Sequence, residues 1–572
     1  MKNIFLLLLA LVSINLFSQD PKLSENFIVK TGEEYKETDG IFKQFYKYKD
    51  YVVAINSQKK DLVIQKFDPI SLKEIKRVDL KSFMKKFKTN FELVQMDNKV
   101  IFFYEVWDRK EKIETLMAVN ISLESLSVSE PYTVLTQKGI IAVDPFRNTQ
   151  PKSYKYASTI VIGRNIFGSK YFFHKSRDDQ KLLITYRMYP EKRKDTESYD
   201  NVSINIFNTD LTLDWKTMVK MPYTERRMDN VDDAIDNFGN YYLITKVFED
   251  DSYNEKKKTE KKANYHLELF KIKRESSEIL KTKIEIGDSF IGKIALYNNG
   301  IGDMILAGTC KNSNKSGFES FYSSGIGQPT GIFTVNLTDD GKIGNFKSYD
   351  FSVEMLNKNA SRKEKKKTKK KAKKNEKDEN EKPSFEDLSI NSIAINSDGS
   401  FLILGEQDYL EFSTHMSGGA SGMSTSTTTY YYRNMLAAKI NADGSLAWIH
   451  KLAKHQSGVR GKSTMSYTHM FAGDSHYLLY LDNIKNLNLP DDEYPKHYRD
   501  RHEGYLTAYI INDKTGAIKK EAIFNVKDIN GVEMEHFDTD KILSLSNSEI
   551  LIEGFEGRSK DFLVKVTAKK NN

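Results

Sequence analysis

One cysteine, Cys310, stands in a chain of 572 residues. That excludes an intramolecular disulfide framework, a cysteine-rich zinc module and an iron–sulfur cluster. Past residue 20 no apolar stretch approaches the roughly 20 residues that carry a helix across a bilayer. Mean hydropathy is −0.56, so a multi-span helical membrane protein is excluded too. Amphipathic helical spacing is scarce beyond two turns, which argues against a helical core.

Hydrophobic residues make up 39% of the chain, enough for a large core and too many for wholesale disorder. The chain starts Met1-Lys2-Asn3, and an apolar run from Ile4 to Phe17 follows, broken by Ser13 and Asn15. A short basic start, a core of that length and the polar pair Ser18-Gln19 describe a secretory signal peptide over 1–19, with cleavage near Ser18 or Gln19. No cysteine lies there to take a lipid anchor. The mature protein is expected to be exported, in the periplasm rather than outside the cell, because the last strand runs directly into Lys569-Lys570-Asn571-Asn572 with no sorting domain after it. Cys310 follows Met304-Ile305-Leu306-Ala307 and reads as a packed, inert strand residue.

The net charge of +8 has one source. Between Ser361 and Lys374 there are ten Lys or Arg and one acid, Glu364, so the rest of the chain nets −1. A groove-reading nucleic-acid protein spreads its cations over a folded face, so no nucleic-acid partner is expected. The tract contains almost nothing apolar and runs into the acidic stretch 375–387. It reads as a disordered charged insertion over 357–384, open to electrostatic contact of 361–374 with an anionic surface.

Short β-rich runs recur with tight turns between them. In the clearest unit, Asn391–Ile395 leads through Asn396-Ser397-Asp398-Gly399 to Phe401–Gly405, and Met435–Ile440 leads through Asn441-Ala442-Asp443-Gly444 to Ser445–Leu452. Asp-Gly between apolar runs marks a hairpin, because Gly tolerates positive φ and Asp hydrogen-bonds its own backbone. Comparable units fall at 41–81, 88–135, 170–221, 227–287, 288–350, 385–455, 462–525 and 533–568, while 136–169 fits no unit. A strand-only repeat with long variable loops indicates an all-β fold over 20–572: a single β-propeller of four-stranded antiparallel blades, eight by this count, with seven as the alternative. Stacked β-sandwiches, or two smaller propellers joined at 357–384, are the rival architectures. The last unit offers three strands, and Asn26–Thr38 has no blade of its own. That segment is expected to close the last blade as its outer strand.

The repeat style, the leader ending in Ser18-Gln19 and the two Asn-x-Asp-Gly turns resemble exported β-propeller proteins of Bacteroidetes-type bacteria. The resemblance covers most of the chain but rests on fold motifs, and it implies no catalytic residue. Most such proteins have no assigned activity and some are periplasmic or outer-membrane accessory factors, so the resemblance implies as one option an accessory subunit of an outer-membrane export machine.

Linear chemistry is thin. Gly325-Ile326-Gly327-Gln328-Pro329-Thr330-Gly331 lacks the lysine of a phosphate loop, and Gly418-Gly419-Ala420-Ser421-Gly422 lacks the spacing of a hydrolase elbow. Asn441–Trp448 has the Asp and Trp of a sialidase Asp box with the glycine misplaced. No cofactor and no catalytic residue are indicated. The candidate metal ligands are Asp491, Asp492, His497 and His502, in a loop that also holds Glu493, Asp500 and Glu503, although the spacing fits no zinc or calcium template. His450 and His455 read as surface residues. The candidate binding residues are Tyr430, Tyr431, Tyr432 and Arg433, which end a Gly-, Ser- and Thr-rich tract from Ser413. Tyrosine supplies contact area at low entropic cost. The leading expectation is a non-catalytic binding or scaffold protein that contacts a protein or glycan of the envelope through loops on a propeller face. The alternative is a hydrolase or lyase with a channel-centred site acting on an envelope or polysaccharide substrate.

Overall fold

The computed structural model describes residues 22–569 except 37–41, 59, 87–90, 143–169, 258–261, 288, 299–302, 313–327, 339–343, 345, 378–381, 417–423 and 558–559. The expected signal peptide, most of the unit-free stretch 136–169 and the glycine run 418–422 lie outside these residues.

Strand alternation builds the ring. Successive side chains of a strand point to opposite faces. In the strand Lys99–Asp108, Val100 and Phe102 pack with Val53 and Ile55 of the sheet before, and Ile101 and Phe103 pack with Leu182 and Ile184 of the sheet after. Both faces are dry, so the central strands read as unbroken apolar runs. The blades are antiparallel sheets whose neighbouring strands are close in sequence, and blades 1 to 8 run over 42–80, 91–138, 172–224, 228–284, 290–350, 388–452, 468–525 and 536–568. Eight apolar clusters lie among the described residues, one at each interface between neighbouring blades. The cluster that joins Phe45, Val52 and Phe67 of blade 1 to Leu545, Leu551 and Leu563 of blade 8 closes the circle. Full burial of each such side chain is worth about 1.5–3 kcal/mol, a gain an isolated blade cannot make. First strands of blades 3, 4, 5 and 6 touch in succession, which sets them round the central axis.

The fold is therefore an eight-bladed propeller, not seven blades, a sandwich stack or a pair of rings. The N-terminal strand Phe27–Thr31 is the outer strand of blade 8, antiparallel to Lys560–Ala568 with Phe27 opposite Ala568 and Thr31 opposite Val564. Tyr35 OH donates to Glu553 Oε1 at 2.5 Å, and Glu553 is ion-paired with Lys43 of blade 1. The two Asp-Gly turns are hairpins: Asp398 Oδ1 and Asp443 Oδ1 each accept from the backbone N–H and hydroxyl of the serine two residues on, and Gly399 and Gly444 have φ of 84° and 79°. Cys310 is buried in the strand Met304–Lys311, and burial lifts its thiol pKa to about 12.

The expectation of disorder over 357–384 is corrected for 362–375, which is helical. Two helices precede blade 6, α1 (Val353–Asn357) and α2 (Arg362–Asn375). Lysine, alanine and glutamate are good helix formers. A capping box starts α2: Ser361 Oγ accepts from the Glu364 N–H, and the Glu364 carboxylate accepts from the Ser361 N–H. Hydrogen bonds anchor the helix in place of an apolar stripe. Lys371 is buried and donates to Gln328 Oε1 at 2.6 Å and to Ser384 Oγ at 2.5 Å, while Lys367 pairs with Glu386 at 2.5 Å.

Candidate functional site

Blade 6 carries more sheet than a blade requires. Its hairpin strands Phe401–Met416 and Ser424–Ile440 pair over their whole length, with a bulge between Glu406 and Asp408. Phe401–Glu406 and Met435–Ile440 belong to the ring. Past the bulge, Asp408–Met416 and Ser424–Tyr432 continue as an arm rich in Ser and Thr, residues that suit a two-sided polar strand. Two further strands attach to the arm. Gln456–Gly458, from the crossover to blade 7, pairs antiparallel with Tyr430–Tyr432, and Tyr498–Arg499, from the long loop inside blade 7, pairs parallel with Gln456–Ser457. Helix α2 packs against the same place through Glu364. The structure thus assembles the aromatic–arginine segment and the 490–503 loop, 60 residues apart in sequence, into one extension of blades 6 and 7.

Arg433 sits at its centre. The side chain is 16% exposed, donates to Tyr409 OH at 3.4 Å and to Tyr494 OH, and pairs with Glu364 Oε1 at 3.3 Å. Tyr409 stacks on Tyr431 with ring centroids 4.7 Å apart. Burial works against the Glu364 carboxylate, but Arg433 and the Ser361 N–H outweigh it and hold its pKa below the usual range. Arg433 therefore ties arm, loop and helix together, and Tyr430, Tyr431 and Tyr432 are half-buried within the sheet. Lys451 reaches the same corner and donates to the Leu356 and Lys358 carbonyls at 2.9 Å, closing the end of α1. Burial lowers its pKa to about 8.

The four candidate metal ligands part into two groups, the aspartates towards the helices and the histidines towards a recess. Asp491 pairs with Lys358 at 3.1 Å, and Asp492 offers its carbonyl to Lys365. His497 shares a hydrogen bond with Ser457 Oγ at 2.8 Å, and His502 stands at the rim of a recess. No group of three or more His, Cys, Asp or Glu placed to hold a metal occurs among the described residues. His455 is not a surface residue: it packs between Tyr494 and His497, and burial, with help from Arg433, pulls its pKa down to about 4.

The recess has a volume of about 440 Å³ and is bounded by Ser457, Arg460, His497, Arg499, Arg501 and His502. Asp500, its one carboxylate, is buried and accepts from Thr464 N at 3.2 Å and Thr464 Oγ1 at 2.5 Å. Gly458 permits the fit, since a Cβ there would lie 2.4 Å from Asp500 Cβ. Sequence reasoning passed over Arg460, Arg499, Arg501, Glu364 and Tyr494. A usable signal was present in Arg499-Asp500-Arg501-His502, a cationic run that a search for metal ligands sorts by its acid and imidazole.

Charge inside the ring is largely self-satisfied. Arg187 donates to Asp200 at 2.7 Å and to Glu225 at 2.8 Å, all three buried, and Lys454 pairs with Glu406 with both at 0% exposure.

No protein-family model matches the chain, and no curated protein matches it. Among solved structures, the WD40 domain of SCAP from fission yeast is similar at a TM-score of 0.36 and 7% identity, covering 96% of this chain and 97% of that one. The polysaccharide lyase Uly1 is similar at 0.35 and 8%, covering 92% and 90%. The β-propeller domain of the Trilobed protease from Pyrococcus furiosus is similar at 0.30 and 11%, covering 86% and 98%. Likenesses at this level carry no argument about what the chain does.

Proposed function

We propose that the chain is an exported binding or scaffold protein that holds a protein or glycan of the cell envelope on the extension of blades 6 and 7. The observation that carries this reading is convergence: arm, crossover strand, blade 7 loop and helix α2 are all additions to the four-stranded blades, and they meet around Arg433. Elements added beyond the blades a ring needs, and assembled into one surface, are suited to contact. The exposed lysines of α2 add an electrostatic contact with an anionic surface. The signal-peptide composition of 1–19 supports export to the periplasm, and sequencing the amino terminus of the mature protein tests it, with a start near residue 19 or 20 expected.

The deciding experiment compares tagged wild type with an arm-shortened variant in which a tight turn replaces 411–429, both used to capture partners from envelope extract. A partner held by wild type and lost with the arm supports the reading, and an export-machine component would make the chain an accessory subunit. Equal capture by both removes the arm from the account.

Glu92 favours a second reading, a hydrolase or lyase. It lies on the first strand of blade 2, and burial beside Phe91, Phe103 and Phe173 raises its pKa to about 7, the poise of a general acid near neutrality. Turnover of a polysaccharide panel, lost in Glu92→Gln, would put this reading first.

A further inference from the structure

We propose that the recess bounded by Arg460, Arg499, Arg501, His497, His502 and Ser457 binds a phosphate-class oxyanion, a phosphate monoester or pyrophosphate group. This goes beyond the partner-binding reading and does not depend on it. Three guanidinium groups and two imidazoles border a concavity of about 440 Å³, within the size range of small-ligand sites. Like charges gathered in this way repel one another, and the gathering is favourable when a counter-charge sits among them. Asp500 supplies one negative charge from within, fewer than the cations around it. Arg460 and Arg499 have no ion-pair partner among the described residues, and the Asp500 carboxylate is held in place by hydrogen bonds from Thr464. Arg501 is steadied by donating from Nε to Ser463 Oγ at 3.3 Å.

The positions are built rather than incidental. Arg499 stands on the strand Tyr498–Arg499, which is pinned beside Gln456–Ser457, and Ser457 in turn holds His497. Tyr498 is buried, and its OH is 3.0 Å from Thr464 Oγ1. The recess floor is therefore sheet, and Gly458 brings the crossover against Asp500 without a side chain between. Guanidinium groups present paired N–H donors that match the oxygens of a phosphate, which is why arginine rather than lysine suits this chemistry. A dianion answers the guanidinium charges of Arg460 and Arg499 together better than a single carboxylate would.

The test uses the mature full-length chain and isothermal titration with inorganic phosphate, pyrophosphate and glucose 6-phosphate, with flotation on phosphatidic acid vesicles as a second arm. Wild type is expected to bind at least one of these, with Kd weakened about tenfold by Arg499→Ala and further by Arg460→Ala/Arg499→Ala. Binding of the soluble anions assigns the recess to a free ester, and binding of vesicles alone assigns it to a lipid phosphate. Circular dichroism and Tm check that the variants fold, and Arg499→Lys, which keeps the charge and loses the fork, provides a milder change with the same expected direction. No binding in either arm, or binding unchanged in the double arginine variant, overturns the proposal. So does loss of binding in Lys363→Gln/Lys366→Gln/Lys370→Gln with the arginines intact, since the anion would then sit on α2.

Discussion

Lys454 and Glu406 are sealed from solvent and answer each other, with Ser466 Oγ donating to Glu406 at 2.5 Å and Lys454 donating to Gln456 at 2.9 Å. Burial lowers the lysine pKa and raises that of the glutamate, and each partner opposes the other's shift. Lys454→Met leaves a buried carboxylate alone and is expected to cost about 3–5 kcal/mol in thermal or urea unfolding. Lys454→Met/Glu406→Gln should recover much of that, because no lone charge remains. The histidines set a pH dependence. Burial, then His476, brings His469 down to about 3, and burial brings His455 to about 4, so both stay neutral in the fold. The unfolded chain takes up those protons near pH 6.5. Stability is thus present above 6.5 and lost as pH falls towards 4 and 3, by about 1.4 kcal/mol per unit of difference, less where solvent reaches the ring. Tm measured from pH 7 to 4 should fall, and His469→Phe should flatten part of the slope.

At the scale of elements, α2 shows how a sequence without apolar residues still orders itself. Its start depends on the capping box, so Ser361→Ala should destabilise the helix by about 1 kcal/mol and quicken tryptic cleavage between 362 and 374, read by mass spectrometry of a time course. Absence of an apolar stripe argues for disorder only if nothing else anchors the segment, and Glu386, Gln328, Ser384 and the Asp492 carbonyl, all distant from the tract or just past its end, do so here. The arm repeats the lesson. Its strand character was hidden by Ser, Thr and Gly, which read as loop until the register of Asp408–Met416 against Ser424–Tyr432 pairs them. The crossover strand Gln456–Gly458 is too short to be read from three residues at all. Gly458→Ala should spread the crossover from Asp500, lower Tm by a few degrees and weaken any ligand of the recess.

Across the whole molecule, stability depends on closure. Phe27 packs edge-on to Tyr477 of blade 7, and its strand covers an edge of blade 8 that would otherwise lie open. Removal of 22–36 should therefore act on the entire ring: a large fall in Tm, loss of a single cooperative transition, and association through the uncovered edge, visible by light scattering. If the truncated chain unfolded like the intact one, the N-terminal strand would have no closing role. Since the tract at 361–374 holds the excess positive charge, association of the intact protein with anionic surfaces should weaken between 50 and 300 mM salt while Tm changes little.

The ring was legible in the residue order, because each blade is a local object. Alternation along a strand and Asp-Gly turns between strands mark sheet and hairpin within a few tens of residues, and eight such units with a spare strand at the start imply a closed circle. The candidate site was only half legible. Tyr430–Arg433 and the 490–503 loop stood out by composition, but their meeting, the inward turn of Arg433, the parting of Asp491 and Asp492 from the histidines, and the cationic recess came from contacts between segments distant in the chain. Periodicity reports which side of its own element a residue occupies; which foreign segment lies opposite is settled by packing, where charge partners and steric room at single positions such as Glu364 and Gly458 make the choice.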